Sequence, residues 1–398
     1  MVIICGMSAW EYFCTPPIVR ETELPIEIAT RQPPFGVGIP KSLFSIRENA
    51  SEASRLVQGR LLHDLKGISL PINVCSTDQS PSYRANRLVV YRRMPCYMPA
   101  HHLIKLNECL YITSPELTLV HLAKDLSWQQ LSLLMLEACG LFAAFRGTLR
   151  SKAVLNEVAS YYKSQDYALV RAPIVSEYCD ERGRHLHKAQ HNSPIETWSP
   201  CFNRFGKMTE LWKRPPLCTV ESLERLAGSA EGSNGASTAR KALRQVANGS
   251  GSPFEARLFL MLCSEALCGG EHWERPSLNR RVVFTPEAQN LSGQTHCACD
   301  FLWEDKKVAI EAKGKAYHAD TDGFEIENGR RAALESMGYT TFDVIYSQIA
   351  NPDQFDTLLH TFSKRLGFAL RKRTPTFLYH REELYRELFT REQKKISI

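Results

Sequence analysis

The sequence predicts a mixed α/β protein, and three observations carry that expectation. Short runs rich in branched and aromatic residues recur along the chain, among them LPINV (70–74), LVVYRRM (88–94), RRVVF (280–284) and TTFDVIY (340–346). They alternate with longer apolar-periodic segments that open on capping residues. The composition, 43% hydrophobic and 23% charged, excludes wholesale disorder, and 398 residues are too many for one ordinary domain.

Residues 1–60 are poorly periodic. TPP, QPPFGVGIP and the polar RENASEASR read as loops with short helices. LPINV and LVVYRRM are strands on either side of the turn-like STDQSPSYRAN, and LIKLNECLYI (103–112) is a further strand pair. TSPELTLVHLAKDLS opens a helix, because Thr113 and Glu116 have capping-box spacing and Pro115 falls in the first turn. WQQLSLLMLEACGLFAAF, after Ser127, is a second helix. Residues 1–212 therefore form an α/β N-terminal region. AGSAEGSNGAS (227–237) is small, polar and Gly-rich, so 213–250 is expected to be a flexible linker carrying one short basic helix.

A second unit is expected over 251–370. SPFEARLFLMLCSEAL offers Ser252 as N-cap, Pro253 at the first helical position and Glu255 at the third, with Gly269 and Gly270 as the stop. RRVVF is a strand. CDFLW (299–303) and KVAIEAK (307–313) are two more, joined by the tight turn EDKK as a hairpin. ENGRRAALESMG (327–338) is a helix, TTFDVIY a strand and DQFDTLLHTFSKRLGF (353–368) a helix. The order is α-β-β-β-α-β-α, a compact α/β unit.

One pattern in this unit carries chemistry. Strand side chains alternate faces, so Glu311 and Lys313 project from the same side and Ala312 from the other. A hairpin neighbour can bring Asp300 beside them. Two carboxylates and an ammonium on one sheet face suit metal-assisted phosphodiester hydrolysis. Asp300 and Glu311 would hold Mg²⁺, or Mn²⁺ in its place, and Lys313 would offset developing charge. The plain alternative is a surface Glu–Lys cross-strand pair of roughly 0.2–1 kcal/mol. Two features favour the site. Glu311 follows the apolar run VAI, where an ionised group needs a partner, and Gly314 offers room for close approach of a phosphate backbone.

The net charge is +6. Between Lys364 and Ile398 ten Lys or Arg face four acids, which accounts for the whole excess. The segment 371–398 is thus a basic helix or tail, and Arg371, Lys372 and Arg373 are its candidate nucleic-acid contacts. A solvated helix of mixed charge is the alternative for HREELYRELFTREQKK. No apolar run reaches bilayer length, and the N-terminus lacks the basic start of a secretory leader, so a cytoplasmic protein without a membrane partner is expected. The 13 cysteines then read as reduced, mostly buried thiols. Zinc ligation by Cys179, His185, His187 and His191 with Cys201, or a structural metal on His296, Cys297 and Cys299 with Cys263 or Cys268, competes with that reading.

SPFEARLFLML, RPSLNRRVVF, CDFLWEDKKVAIEAKGKAYH and RRAALESMGYTTFDVI occur in an order that resembles the very-short-patch-repair-endonuclease-like group of the PD-(D/E)xK nuclease superfamily. The likeness covers about 115 residues, from Ser252 to about Phe368. It implies a restriction-endonuclease-like core with Asp300, Glu311 and Lys313 as the active-site set and Glu255 as a fourth acidic member. Glu255 is also spaced from Ser252 as a helix cap, so both roles stay open. His318 matches a frequent histidine of the group, as a catalytic or phosphate contact or as a strand-end histidine. Glu327 stands where the group more often has Asp, and Arg330, three residues on, is a candidate nucleic-acid contact. Many members carry Asp where Lys313 stands, so the full Asp…Glu-x-Lys set favours an active enzyme. LPINV, LVVYRR and YITSPELTLVHLA resemble, more faintly, the antitoxin-like regulators of abortive-infection systems, which implies a regulatory or protein-binding N-terminal region. A Mg²⁺-dependent endonuclease is the expected function, with DNA favoured over RNA. The alternative is a nucleic-acid-binding regulator or toxin–antitoxin-like component without catalysis.

Overall fold

The computed structural model describes residues 1–24, 41–43, 50–76, 87–164, 198–203, 205–314 and 321–390. The chain is mixed α/β, with parallel and antiparallel pairings in its sheets. Among the described residues no helix is long and apolar enough to cross a membrane.

The N-terminal region builds two sheets. The first uses β1 (Val2–Ile4) as its middle strand. The helices α1 (Gly6–Cys14), α2 (Pro17–Glu21) and α3 (Glu52–Gly59) follow, then β2 (Ile72–Ser76), β3 (Val89–Tyr91), β4 (Leu103–Lys105) and β5 (Leu110–Thr113), in the order β3-β2-β1-β5-β4. β1 runs antiparallel to β2 and parallel to β5, and all three of its residues are buried. Such a short, fully buried strand has no alternation to betray it.

The helix α4 (Pro115–Leu122) starts one residue later than its sequence predicts. Its cap is Ser114, whose hydroxyl accepts from Leu117 N, while the Thr113 hydroxyl bonds Thr118. The helix α5 (Trp128–Ala138) has Ser127 and Gln130 in a capping box and is shorter than expected. A Cβ on Gly140 would lie 2.5 Å from both Leu136 O and Ser250 O, so the chain turns there. Phe142–Ala144 become β6 of a second sheet. The fully buried Arg214 closes that turn by donating to Glu137 O at 2.7 Å and Pro215 O at 2.7 Å. After α6 (Lys152–Ser164) come β7 (Ser199–Phe202) and β8 (Met208–Lys213), which complete the sheet in the order β6-β8-β7.

The expected linker over 213–250 is overturned. It holds two helices, α7 (Val220–Ser229) and α8 (Ala236–Leu243), and Leu223, Leu226, Ala227, Ala239, Ala242 and Leu243 are buried. Small residues let these helices approach their neighbours closely, so a composition that looks loose packs tightly. They belong to one continuous core that also takes in Leu117 and Leu131 before them and Phe259, Ile310 and Phe362 after them.

The C-terminal unit follows as α9 (Pro253–Cys263), β9 (Ser277–Val283), α10 (Pro286–Ser292), β10 (His296–Trp303), β11 (Val308–Lys313), α11 (Thr321–Ser336), β12 (Thr340–Ile345), α12 (Tyr346–Ala350), α13 (Pro352–Leu366) and α14 (Pro375–Tyr385). The sheet order is β12-β11-β10-β9, with β11 and β12 parallel and the other pairs antiparallel. The predicted elements are present, with two helices added. The larger, α10, has Thr285 as N-cap, Pro286 at its first position and Gly293 in the left-handed region after it. The C-terminal segment is not a detached tail: Phe377, Leu384 and Leu388 are buried, the last two in the main core.

Burial in α7 gives a test of the linker correction. Leu226→Ala should lower stability by about 2–5 kcal/mol in denaturant unfolding, the range for a buried leucine. A linker residue would change it by no more than about 0.5 kcal/mol.

Candidate active site

Antiparallel pairing of β10 with β11 sets Phe301 opposite Ile310 and Trp303 opposite Val308. One residue further along, Asp300 Oδ2 accepts a hydrogen bond from Ala312 N at 2.7 Å. Asp300 therefore stands within β10 rather than at its start, against the end of β11. Parallel pairing with β12 places Asp343 beside Glu311.

Glu311 and Lys313 reach the same face, and α11 covers it. Arg330 pairs with Glu311, Glu327 with Lys313 and Arg331 with Asp343. Residues 327, 330, 331 and 334 repeat at helical spacing, so one face of α11 presents an acid and two guanidinium groups to a strand face carrying the complementary signs. Ala312 points the other way and packs on the main core. The three pairs, with Leu334 and Thr341, line a small cleft.

The electrostatics follow from burial. Glu311 is 6% exposed. Burial, and after it the charge of Asp300, pushes its carboxyl up to about 7. Arg330 engages Glu311 Oε2, whereas Glu311 Oε1 is buried without a hydrogen-bond partner among the described residues. Burial lowers the pKa of Lys313, against the pull of Glu311. A Cβ on Gly314 would meet nothing within 4 Å among the described residues.

The helix cap is Ser252, whose Oγ accepts from Glu255 N, while Glu255 Oε2 accepts from Gly251 N at 2.7 Å and Asn279 Nδ2 at 2.6 Å rather than from Ser252 N. Glu255 is also electrostatically joined to Asp300, whose charge is the second cause, after burial, of a carboxyl pushed up to about 8. Asn279 sits at φ 47° in β9, between the residues paired with Cys299 and Phe301. A Cβ on Gly251 would lie 2.9 Å from the Asn279 amide, so only glycine leaves that contact undisturbed. Lys213, from β8 of the N-terminal region, donates to Gly251 O at 2.6 Å, and its charge works to lower the Glu255 carboxyl.

The basic segment makes internal pairs that its sequence does not announce. Glu271 is fully buried, and Arg373 and Arg381 both pair with it. Arg371 donates its backbone N–H to Glu271 Oε2 and its Nε to Glu271 O. Arg371, which stays exposed, and the half-buried Arg373 are tied to Glu271, and Lys372 is exposed. Arg330 likewise faces Glu311 rather than solvent.

His318 and the stretch Cys179 to His191 lie outside the described residues. Cys297 and Cys299 point into a core with their sulfurs 3.9 Å apart, and Cys263 belongs to a different core. Among the described residues no group of three His, Cys, Asp or Glu forms a ready metal cage. All described cysteines are free thiols, and only Cys96, Cys109 and Cys201 among them are not buried.

Asp343, Arg331, Asn279 and Lys213 escape sequence reasoning. Asp343 had a findable signal, since parallel strands joined by one helix place like-numbered positions side by side. Lys213 had none, because it comes from a different sheet. Comparison with protein-family models, curated proteins and solved structures finds no match.

The raised Glu255 carboxyl predicts a pH dependence. The folded protein keeps a proton that the unfolded chain releases above about 4.5, so folding loses stability as pH rises from there to about 8. Denaturant unfolding across that window should show the decline, and Glu255→Gln should flatten it. An unchanged slope in the variant would contradict the burial argument.

Proposed function

We propose that this chain is a metal-dependent endonuclease that hydrolyses nucleic-acid phosphodiester bonds, with DNA the favoured substrate. One observation carries the reading. Glu311 is a buried carboxylate with one unpartnered oxygen, it shares a sheet face with Lys313, and Asp300 is bonded to the same strand end. A carboxylate oxygen left bare at that depth fits a cation ligand.

Asp300 and Glu311 would hold Mg²⁺, or Mn²⁺ in its stead, since such ions bind through one or two carboxylates and keep waters for the rest. The ion, when bound, supplies positive charge to the phosphate and makes its coordinated water more acidic. Lys313 brings a fixed ammonium to the same face, where it offsets negative charge building on the phosphate oxygens. The bonds from Gly251 and Asn279 hold the Glu255 carboxyl in place beside Asp300. The apolar run Val308–Ile310 behind Glu311 limits water and strengthens each of these charges. In this reading a nucleic-acid strand would approach the end of β11 near Gly314, where a Cβ would meet no described atom within 4 Å. A cytoplasmic setting fits the free thiols, and a protein partner for the N-terminal region rests on its resemblance alone.

The ion pairs of Glu311 and Lys313 with α11 favour a second reading, in which the site binds nucleic acid without cutting it.

Cleavage assays separate the two. The endonuclease reading expects Mg²⁺- or Mn²⁺-dependent cleavage of duplex, single-stranded DNA or RNA that Asp300→Ala and Glu311→Ala abolish. Lys313→Ala should slow the single-turnover rate by a factor of about 10²–10³, the usual loss for one fixed electrostatic contact. Binding without cleavage of any of these substrates would favour the regulator.

A further inference from the structure

Glu311 already has a cation. Arg330 of α11 pairs with its Oε2, and this pair is the most buried of the three that tie α11 to the sheet face. A guanidinium and a divalent ion offer the same carboxylate the same service, but they do not share it freely. Two cations at one carboxylate repel each other, and Glu311 has one remaining oxygen with which to receive a second. Asp300, the other carboxylate of the site, already accepts the Ala312 N–H on Oδ2.

We propose that Arg330 is the built-in counter-ion of the metal site and that a divalent cation binds Glu311 in competition with it. This rests on the metal-site reading above and adds to it a regulation of that site by α11. Glu327, which pairs with Lys313, and Arg331, which pairs with Asp343, hold the helix over the face, so displacement of Arg330 is resisted by two further contacts. The arrangement keeps Glu311 charge-balanced in the metal-free chain, where a buried lone carboxylate would be costly. It also sets a threshold: metal binds weakly until the guanidinium gives way.

The test is Mn²⁺ binding to the full-length protein, followed by calorimetry and by loss of the free-ion paramagnetic resonance signal. Neither readout depends on activity. Arg330→Gln should bind Mn²⁺ about tenfold more tightly than the wild type, equivalent to about 1.4 kcal/mol. Arg330→Lys, which keeps the charge, should stay within about threefold of the wild type. Folding of each variant is checked by thermal unfolding, and Arg330→Lys serves alone if Arg330→Gln does not fold. In that case Mn²⁺ should raise the midpoint of the Lys variant no more than that of the wild type, and a larger rise would overturn the proposal. Equal or weaker Mn²⁺ binding by folded Arg330→Gln, with binding still abolished by Glu311→Gln, overturns the competition and leaves the metal site standing. Absence of Mn²⁺ binding in every variant overturns both.

Discussion

The C-terminal unit is organised around one costly group, the carboxylate of Glu311. It follows the apolar run Val308–Ile310 and lies almost wholly out of water. An ionised group at that depth needs a partner of opposite sign, and the chain supplies it from the helix that crosses the strand. The remaining pairs fall into line around that requirement. With Arg330 set against Glu311, helical spacing carries Glu327 to Lys313 and Arg331 to Asp343. Parallel pairing of β11 with β12 supplies Asp343 in register. Asp300 then enters from the neighbouring strand, and its charge raises the Glu311 carboxyl further. A face composed in this way is poised between protonation and an internal ion pair.

The N-terminal region takes part in this arrangement. Its helices share a core with α9, β11 and α13, and the segment between the two halves is packed helix. Lys213 at the end of β8 reaches Gly251, whose N–H in turn holds Glu255. A change in the position of β8 would therefore act on the Glu255 carboxyl through two hydrogen bonds. Core packing of this extent resists independent motion of the halves.

Legibility of the sequence followed the strength of its local signals. The C-terminal strands and helices were readable because alternation, capping residues and Gly stops agree there. The i, i+2 rule placed Glu311 and Lys313 on one face without further information. The helix α10 carries Thr285, Pro286 and Gly293, start and stop signals for a short helix between two strands. The linker error came from composition. Ala227, Ala230, Ala239 and Ala242 are small, and small residues serve a tight helix contact as well as a loose loop. The charge count of the last 35 residues conceals internal pairing in a similar way. Net charge says nothing of partners, and Arg371, Arg373 and Arg381 converge on Glu271, about 100 residues earlier. Long-range pairing of that kind has no sequence period.

The central claim is that Asp300 and Glu311 together hold a divalent ion. Crystals of the protein grown with Mn²⁺ and measured at the manganese absorption edge test it most directly. The account predicts an anomalous peak bonded to Glu311 Oε1 and shared with Asp300, at a metal–oxygen distance of roughly 2.0–2.6 Å, with Arg330 moved off the carboxylate. No peak at that position in saturating Mn²⁺, with Arg330 still paired to Glu311, would contradict it.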